Sequence, residues 1–292
     1  MTVSAQTDAP SVLQALVWTD QAHAREVLLE QPATCLDRPL HSPLTTAGEA
    51  LFNAPAMLGG QAERAGLSCA GCHTNGRRNP WFRLDGVSAG PGTADVSSSF
   101  FSLKRANGRF DPKPIPDLAL PGKISRDPAS RALERFLRGL IVEEFSGDEP
   151  SENALAALAS YVRAVRACEG RATEPRKLAS DLELVDAGVT GAIDMLRLGD
   201  TVTATKLISG TRFRLGMISE RLIARRQTGL RQQLLSASRN LSELQAQPKT
   251  GELIAWQQRF DQQVKPALRK AEPGSLYDPA TVTRWFARRV AL

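Results

Sequence analysis

The chain has 292 residues, 42% of them hydrophobic and 23% charged, a balance that describes a soluble globular protein of one large or two ordinary domains. No apolar run approaches the ~18 residues needed to cross a bilayer, which excludes a transmembrane helix. The net charge of +6 is uneven: residues 171–292 hold 20 Lys+Arg against 12 Asp+Glu, while residues 1–170 are slightly acidic, so two modules with different surfaces are expected.

At the N-terminus, Val3-Ser4-Ala5 before Gln6 is a small-residue pattern that suits signal-peptidase cleavage and suggests an exported protein. Over residues 11–31, Leu13, Leu16, Val17, Ala24, Val27 and Leu28 recur at helical spacing, and Pro32 ends the pattern. A proline-broken loop follows. The next helix is expected to start at "TTAGEALF", where Thr46 and Glu49 have capping-box spacing. Residues 74–130 are rich in Gly, Pro, Asn, Asp and Ser and lack periodicity. So long an irregular stretch inside a compact domain is commonly functional, and a bound cofactor would supply the apolar centre that loops cannot.

Helical patterns return at "DPASRALERFLRGLIVEEF", with Asp127 as the cap and Pro128 at the first position, and at "SENALAALASYVRAVRAC". "EGRATEPRK" reads as a linker. Long helices then fill 178–246, a further one covers about 251–272, and "ATVTRWFARRVAL" closes the chain. No convincing run of strands is present. The expected fold is mostly α, in three parts: an N-terminal helix and loop (1–40), a haem-type domain with long irregular loops (41–170), and a basic α-helical hairpin or bundle (171–292).

The chemistry is concentrated in "GLSCAGCHTNGRRNP", where Cys69, Cys72 and His73 form a Cys-x-x-Cys-His motif. This is the attachment signal of c-type haem: two thiols on one turn reach the two vinyl groups of a porphyrin, and the adjacent imidazole supplies an axial nitrogen to iron. Ala70 and Gly71 are small enough to let the backbone pass close to the ring edge. A zinc site would need two further ligands at paired spacing, and only Cys35, Cys168, His23 and His41 are left to provide them. A redox dithiol would need a βαβ setting that the pattern lacks. One covalent haem c is therefore expected on Cys69, Cys72 and His73, with Arg77 and Arg78 suited to its propionates. Trp81 and Phe82 suit pocket lining or apolar packing.

The stretch "AGEALFNAPAMLGGQAERAGLSCAGCHTNG" resembles the haem-binding opening of the bacterial di-haem cytochrome c peroxidases and MauG-type cytochromes. The segments "IPDLALPGK", "RALERFLRGLIVEEF" and "SENALAALASYVRAV" are similar to that family's proline-leucine stretch, amphipathic helix and closing helix. The resemblance spans residues ~44–168 and implies a cytochrome c-like domain in which Gly48 and Phe52 pack against Leu158 and Tyr161. It also implies peroxidase or MauG-like oxidoreductase activity, but this chain has one motif where the family has two haems. The family's usual distal Met or His is replaced by Gly122-Lys123-Ile124-Ser125. For the sixth iron position Met57, Lys123, His23, His41 and an open or water-bound site remain as alternatives; Met57 and the open site rank level. No distal acid-base group stands out, because Asp85, Asp95, Asp111 and Asp117 are equally good turn formers.

Cys35 and Cys168 are either two buried hydrophobes or a disulfide tying the start of the haem region to its end; an oxidising compartment favours the disulfide. In the C-terminal part, Leu215, Ile218, Leu222, Leu230 and Leu234 run among arginines, an amphipathic pattern with a basic outer face. A covalent haem, assembled outside the cytoplasm, argues against nucleic acid as its partner, so an acidic redox protein is the expected one. Met195 and Met217 read as core. The sequence thus favours a periplasmic or otherwise exported monohaem c-type cytochrome in electron transfer, with an open-iron haem enzyme as the alternative.

Overall fold

The computed structural model describes residues 13–37, 42–98, 100–102, 104 and 106–290. The Val3-Ser4-Ala5 pattern and His41 lie outside them. The described chain is mostly helical, as expected. Its N-terminal segment is a broken helix: α1 (Gln14–Val17) and α2 (Ala24–Leu29) are separated by a 3-10 turn at Gln21–His23. The break occurs where residues 18–20 are drawn into extended contact with 81–83. The Asp20 amide donates to the Trp81 carbonyl at 2.8 Å and the Arg83 amide to Trp18 at 3.1 Å. The apolar positions are buried regardless, with Leu13, Leu16, Val27 and Leu28 packed against Leu276 and Val282 from the far end of the chain.

The short strands β1 (Glu30–Pro32) and β2 (Thr34–Leu36) come next, a departure from the loop expected there. The helix α3 (Pro43–Phe52) starts earlier than its capping-box reading. Ser42 is the cap and accepts from the Thr45 amide, leaving Thr46 and Glu49 inside the helix. Then come α4 (Gly60–Arg64) and the motif turn α5 (Cys69–Cys72). Over 74–130 the only strands among the described residues are β3 (Thr93–Ala94) and β4 (Lys113–Pro114), which pair with each other.

Helix α6 (Ala132–Gly139) begins later than the Asp127-Pro128 signal placed it, because Asp127 instead forms a turn to the Ala129 amide. Helix α7 (Glu152–Ala164) is capped by Ser151, whose hydroxyl accepts from the Ala154 amide at 3.0 Å. It gives way to β5 (Val165–Ala167), and β6 (Thr173–Pro175) lies inside the expected linker. Both pair antiparallel with the N-terminal segment: β2 with β5, placing Cys35 opposite Arg166, and β1 with β6. Cys35 and Cys168 form a disulfide across this clamp. Strands of two or three residues are too short for alternation to show in a sequence.

The remainder is α8 (Leu178–Arg197), α9 (Thr201–Glu220), α10 (Thr228–Ala246), α11 (Thr250–Arg259), α12 (Lys265–Ala271) and α13 (Pro279–Val290). Helix α8 packs on both α9 and α3, and one hydrophobic core runs without interruption from Ala47 through Leu158 to Leu268. The parts divided at residue 170 by charge therefore share their interior. The arginines of α9 are not simply an outer face. Arg214 pairs with Asp181 at 2.9 Å, and Arg221, 3% exposed, donates to the carbonyls of Leu28 and Leu276. These guanidiniums satisfy buried carbonyls and carboxylates, which a pattern of charges along a helix does not reveal.

Two contacts fix the region around the motif. Helices α3 and α7 cross so closely at Gly48 that a Cβ there would lie 1.9 Å from the Ala157 carbonyl oxygen. Phe52 and Tyr161 then stack at 5.1 Å between ring centroids, beside a Thr45–Ser160 hydroxyl contact of 2.8 Å. Between α6 and α7, Arg163 and Glu134 form a bidentate ion pair at 2.9 Å with both side chains under 10% exposed. Arg126 donates to the carbonyls of Val162, Arg163 and Leu118, tying the irregular segment to the end of α7.

Candidate functional site

Helix α5 is a single turn, so Cys69, Cys72 and His73 lie at i, i+3 and i+4 on one of its faces. The turn is held from outside. The Asn79 amide donates to the Cys72 carbonyl at 3.0 Å and its side chain to the Gly71 carbonyl at 2.8 Å, which satisfies carbonyls that a one-turn helix leaves open. Asn75 and Gly76 both adopt positive φ, turning the chain back after His73. The Asn75 side chain then donates to the Pro32 carbonyl, anchoring the motif to β1. The N-terminal segment is thus part of the site's frame, a role its sequence did not signal.

Both motif cysteines are free thiols. Burial pushes Cys69 up to about 12, and burial with the neighbouring Cys69 does the same to Cys72, so each is a neutral thiol at physiological pH. Burial likewise lowers His73 to about 4, against the opposing pull of the Pro116 backbone and the Asp117 carboxylate. The imidazole is therefore neutral, and its Nδ1 is buried without a hydrogen bond of proper geometry. All three side chains keep part of their surface accessible despite this depth. The Phe52 ring stands 6.4 Å from that of His73.

Neutral thiols of this kind are poor nucleophiles for disulfide exchange, which depends on a depressed thiol pKa. The redox-dithiol reading loses its physical basis. Among the described residues no three of His, Cys, Asp and Glu gather to hold a metal ion; the motif's own three groups do not converge on one point. A zinc site wants convergence, whereas a large planar group wants attachment points spread along a turn. The donor set fits a haem.

The other expected residues are placed as follows. Arg77 is not free for a propionate: it makes a fork on Asp117 at 2.8–2.9 Å and donates to the Ala33 carbonyl. Burial works against the Asp117 carboxylate, but hydrogen bonds from Arg77 and the Ala119 amide outweigh it and hold the carboxyl below its ordinary value. Arg78 is exposed and lies over Gly92. Met57, 1% exposed, is packed in the same core as the motif cysteines. Lys123 is solvent-exposed. His23 stacks on Trp81 at 3.5 Å and bonds Asp20 at 2.8 Å, which commits it elsewhere. Phe82 and Tyr161 are core, at 0% and 1% exposure. Asp95 closes a turn onto Ser97, and Asp85 is fully in solvent. Gly71 serves a different purpose from the one expected: a Cβ there would meet Leu67 at 2.6 Å, so its smallness admits a core leucine.

The sequence did not flag what lies behind the motif. The opposite face of α5, with Ala70, Gly71 and Thr74, borders a cavity of about 660 Å³ that extends to α3, α8 and α9. Glu49 and Tyr161 line it. Burial, reinforced by Glu183 and countered by Arg214, raises Glu49 to about 7.

No family model, curated protein or solved structure matches this chain. Site chemistry and geometry therefore carry the functional reading. No helix among the described residues is long and apolar enough to cross a membrane.

Proposed function

We propose that the protein is a monohaem c-type cytochrome that passes electrons to or from a protein partner, with haem held by Cys69, Cys72 and His73. The observation that carries this reading is the pairing of two neutral, unoxidised thiols with a neutral imidazole on one rigid turn. When bound, the haem supplies a one-electron iron couple. Each thiol is in the form that adds across a vinyl group, its proton passing to the neighbouring carbon, so attachment needs no oxidant. His73 offers a nitrogen lone pair without first losing a proton. Phe52 and Tyr161 support the imidazole's side of the turn and exclude water from it. The resemblance to the peroxidase and MauG-type cytochromes supports a cytochrome c-like arrangement over residues 44–168. The Cys35–Cys168 disulfide supports an oxidising, exported setting such as the periplasm. Within this reading Met57 is the described residue best suited to approach the distal face, while the partner's docking surface is expected to be acidic.

The test is expression with c-type haem maturation, followed by ferric and ferrous spectra with and without carbon monoxide. Covalent haem that survives denaturing electrophoresis, and is lost in Cys69→Ser/Cys72→Ser, is the expected result. A chain that matures without haem sinks the proposal. A ferrous spectrum unmoved by carbon monoxide favours the electron carrier. Ready binding turns the assignment to an open-iron oxidoreductase, with peroxide turnover as the next assay.

A further inference from the structure

The cavity behind α5 is walled by five carboxylates, Glu49, Glu174, Asp181, Glu183 and Asp186, against two guanidiniums, Arg176 and Arg214. The protein as a whole is cationic, at +6, so this interior runs against the global charge. Most of these groups are already committed. Asp181 is paired with Arg214 at 2.9 Å, Asp186 with Lys265 at 2.5 Å, and Glu174 accepts from Gln31 at 3.2 Å. Arg176 is spent on the Val27 carbonyl at 2.7 Å and on Gln31. Glu49 and Glu183 have no hydrogen-bond or ion-pair partner for their carboxylates among the described residues. They face one another across the seam where α3 meets α8.

A second observation points to a ligand. Tyr161 is 1% exposed and lines the cavity. Its hydroxyl ends against Gly76 and makes no hydrogen bond among the described residues. A buried phenol without a partner is an unusual state for a native interior. The remaining wall is apolar and aromatic, from Trp18, Phe213 and Met217. Glu183 is solvent-exposed, so the cavity communicates with solvent on its side. The volume of about 660 Å³ falls in the range of small-molecule sites.

The geometry points to a binding site for a small organic cation, an ammonium group on an apolar body, with Glu49 and Glu183 taking the charge and Tyr161 and Trp18 packing on the body. An ammonium donates to both carboxylates at once, while aromatic faces attract cations. An anion of the same shape meets two uncompensated carboxylates and is repelled. The site is separate from the thiols and imidazole of the motif, on the other face of α5, and does not depend on the haem assignment.

The test is isothermal titration calorimetry of the full chain at pH 8 with 2-phenylethylammonium and, as its anionic counterpart, 3-phenylpropionate. The cation is expected to bind and the anion not. Glu49→Gln should weaken the cation at least tenfold, Glu183→Gln should weaken it measurably, and Glu63→Gln, an exposed carboxylate outside the cavity, should leave it unchanged. Glu49→Gln keeps shape and removes an uncompensated charge from the interior, so it should fold; thermal melting checks this, and Glu183→Gln at an exposed position carries the test if it does not. Absence of cation binding at millimolar concentration overturns the proposal. Equal binding of cation and anion, or affinity unaffected by both glutamine substitutions, overturns it as well.

Discussion

The crossing of α3 and α7 makes a prediction that one chemical change tests with opposite signs at two places. Gly48→Ala puts a methyl 1.9 Å from the Ala157 carbonyl oxygen and 2.5 Å from its carbon. Both atoms belong to a helix backbone, which cannot rotate away as a side chain would. The helices would have to part by roughly 1 Å or more to restore an ordinary contact, loosening Phe52 against Tyr161. Overpacking of this kind costs about 1–3 kcal/mol and occasionally more, and a backbone–backbone clash belongs at the upper end. The intrinsic helix preference of Ala over Gly returns about 1 kcal/mol. The net expectation is a loss of about 2 kcal/mol. Gly216 sits inside α9 with no atom within 4 Å of its would-be Cβ, so Gly216→Ala should instead gain about 0.5–1 kcal/mol. Urea unfolding followed by far-ultraviolet circular dichroism measures both. A Gly48→Ala protein as stable as the parent, or more so, would refute the close crossing on which the position of the motif rests.

Three further outcomes follow from the same packing. The disulfide closes a loop of 133 residues, so Cys35→Ala/Cys168→Ala should lower stability by about 5 kcal/mol on a chain-entropy basis; a loss below about 1 kcal/mol in denaturant titration would show that the β2–β5 clamp does not constrain the unfolded chain through this bond. Arg163→Met leaves the Glu134 carboxylate buried without its fork and should cost about 3–5 kcal/mol, most of it recovered in the double variant with Glu134→Gln; a double-mutant cycle without coupling would contradict the pair. Glu49 is raised to about 7 in the folded protein from an ordinary 4.5, so the folded state binds this proton more tightly. Its contribution is most favourable below about pH 4.5 and is lost as pH rises towards about 7. Glu49→Gln should remove that loss, making the variant more stable at pH 8 by up to about 3 kcal/mol and no more stable at pH 4; parallel thermal melts at the two pH values decide it.

Much of the helical frame was legible because long elements announce themselves. Leu207, Leu215 and Ile218 of α9, and Leu155 and Leu158 of α7, sit at helical spacing and are buried as spaced. The Ser151 cap is visible as a letter and present as a hydrogen bond. Gly48 and Phe52 against Tyr161 was also legible, though through family resemblance rather than periodicity. What stayed hidden depends on partners distant in sequence. The β1–β6 and β2–β5 ribbons join segments more than a hundred residues apart, and two or three residues carry no period. Arg77 and Asp117 are each plausible alone, one as a haem partner and one as a turn former; only the fold shows that they hold each other. Glu49 read as half of a capping box because Thr46 stands three residues before it. Its burial follows from α8 lying over α3, which no local pattern encodes.

The motif turn separates two kinds of interior, and its residues divide accordingly. On one face stand groups that burial keeps neutral: Cys69 and Cys72 as thiols and His73 as free imidazole. A medium that disfavours charge suits covalent attachment of an apolar ring and ligation through an uncharged nitrogen, and it works against thiolate exchange. On the other face, Ala70 and Gly71 border a cavity whose Glu49 remains ionisable near neutrality and has no cation within the protein to offset it. Desolvation acts on both sides of a helix one turn long, yet only on one side does it leave a group whose charge is unresolved. An interior optimised for stability alone would carry glutamine or leucine at position 49, since an uncompensated buried carboxylate costs free energy at every pH above its own pKa. The neutral face is accounted for by what the motif would hold. The charged face calls for a counter-charge that the chain itself does not supply.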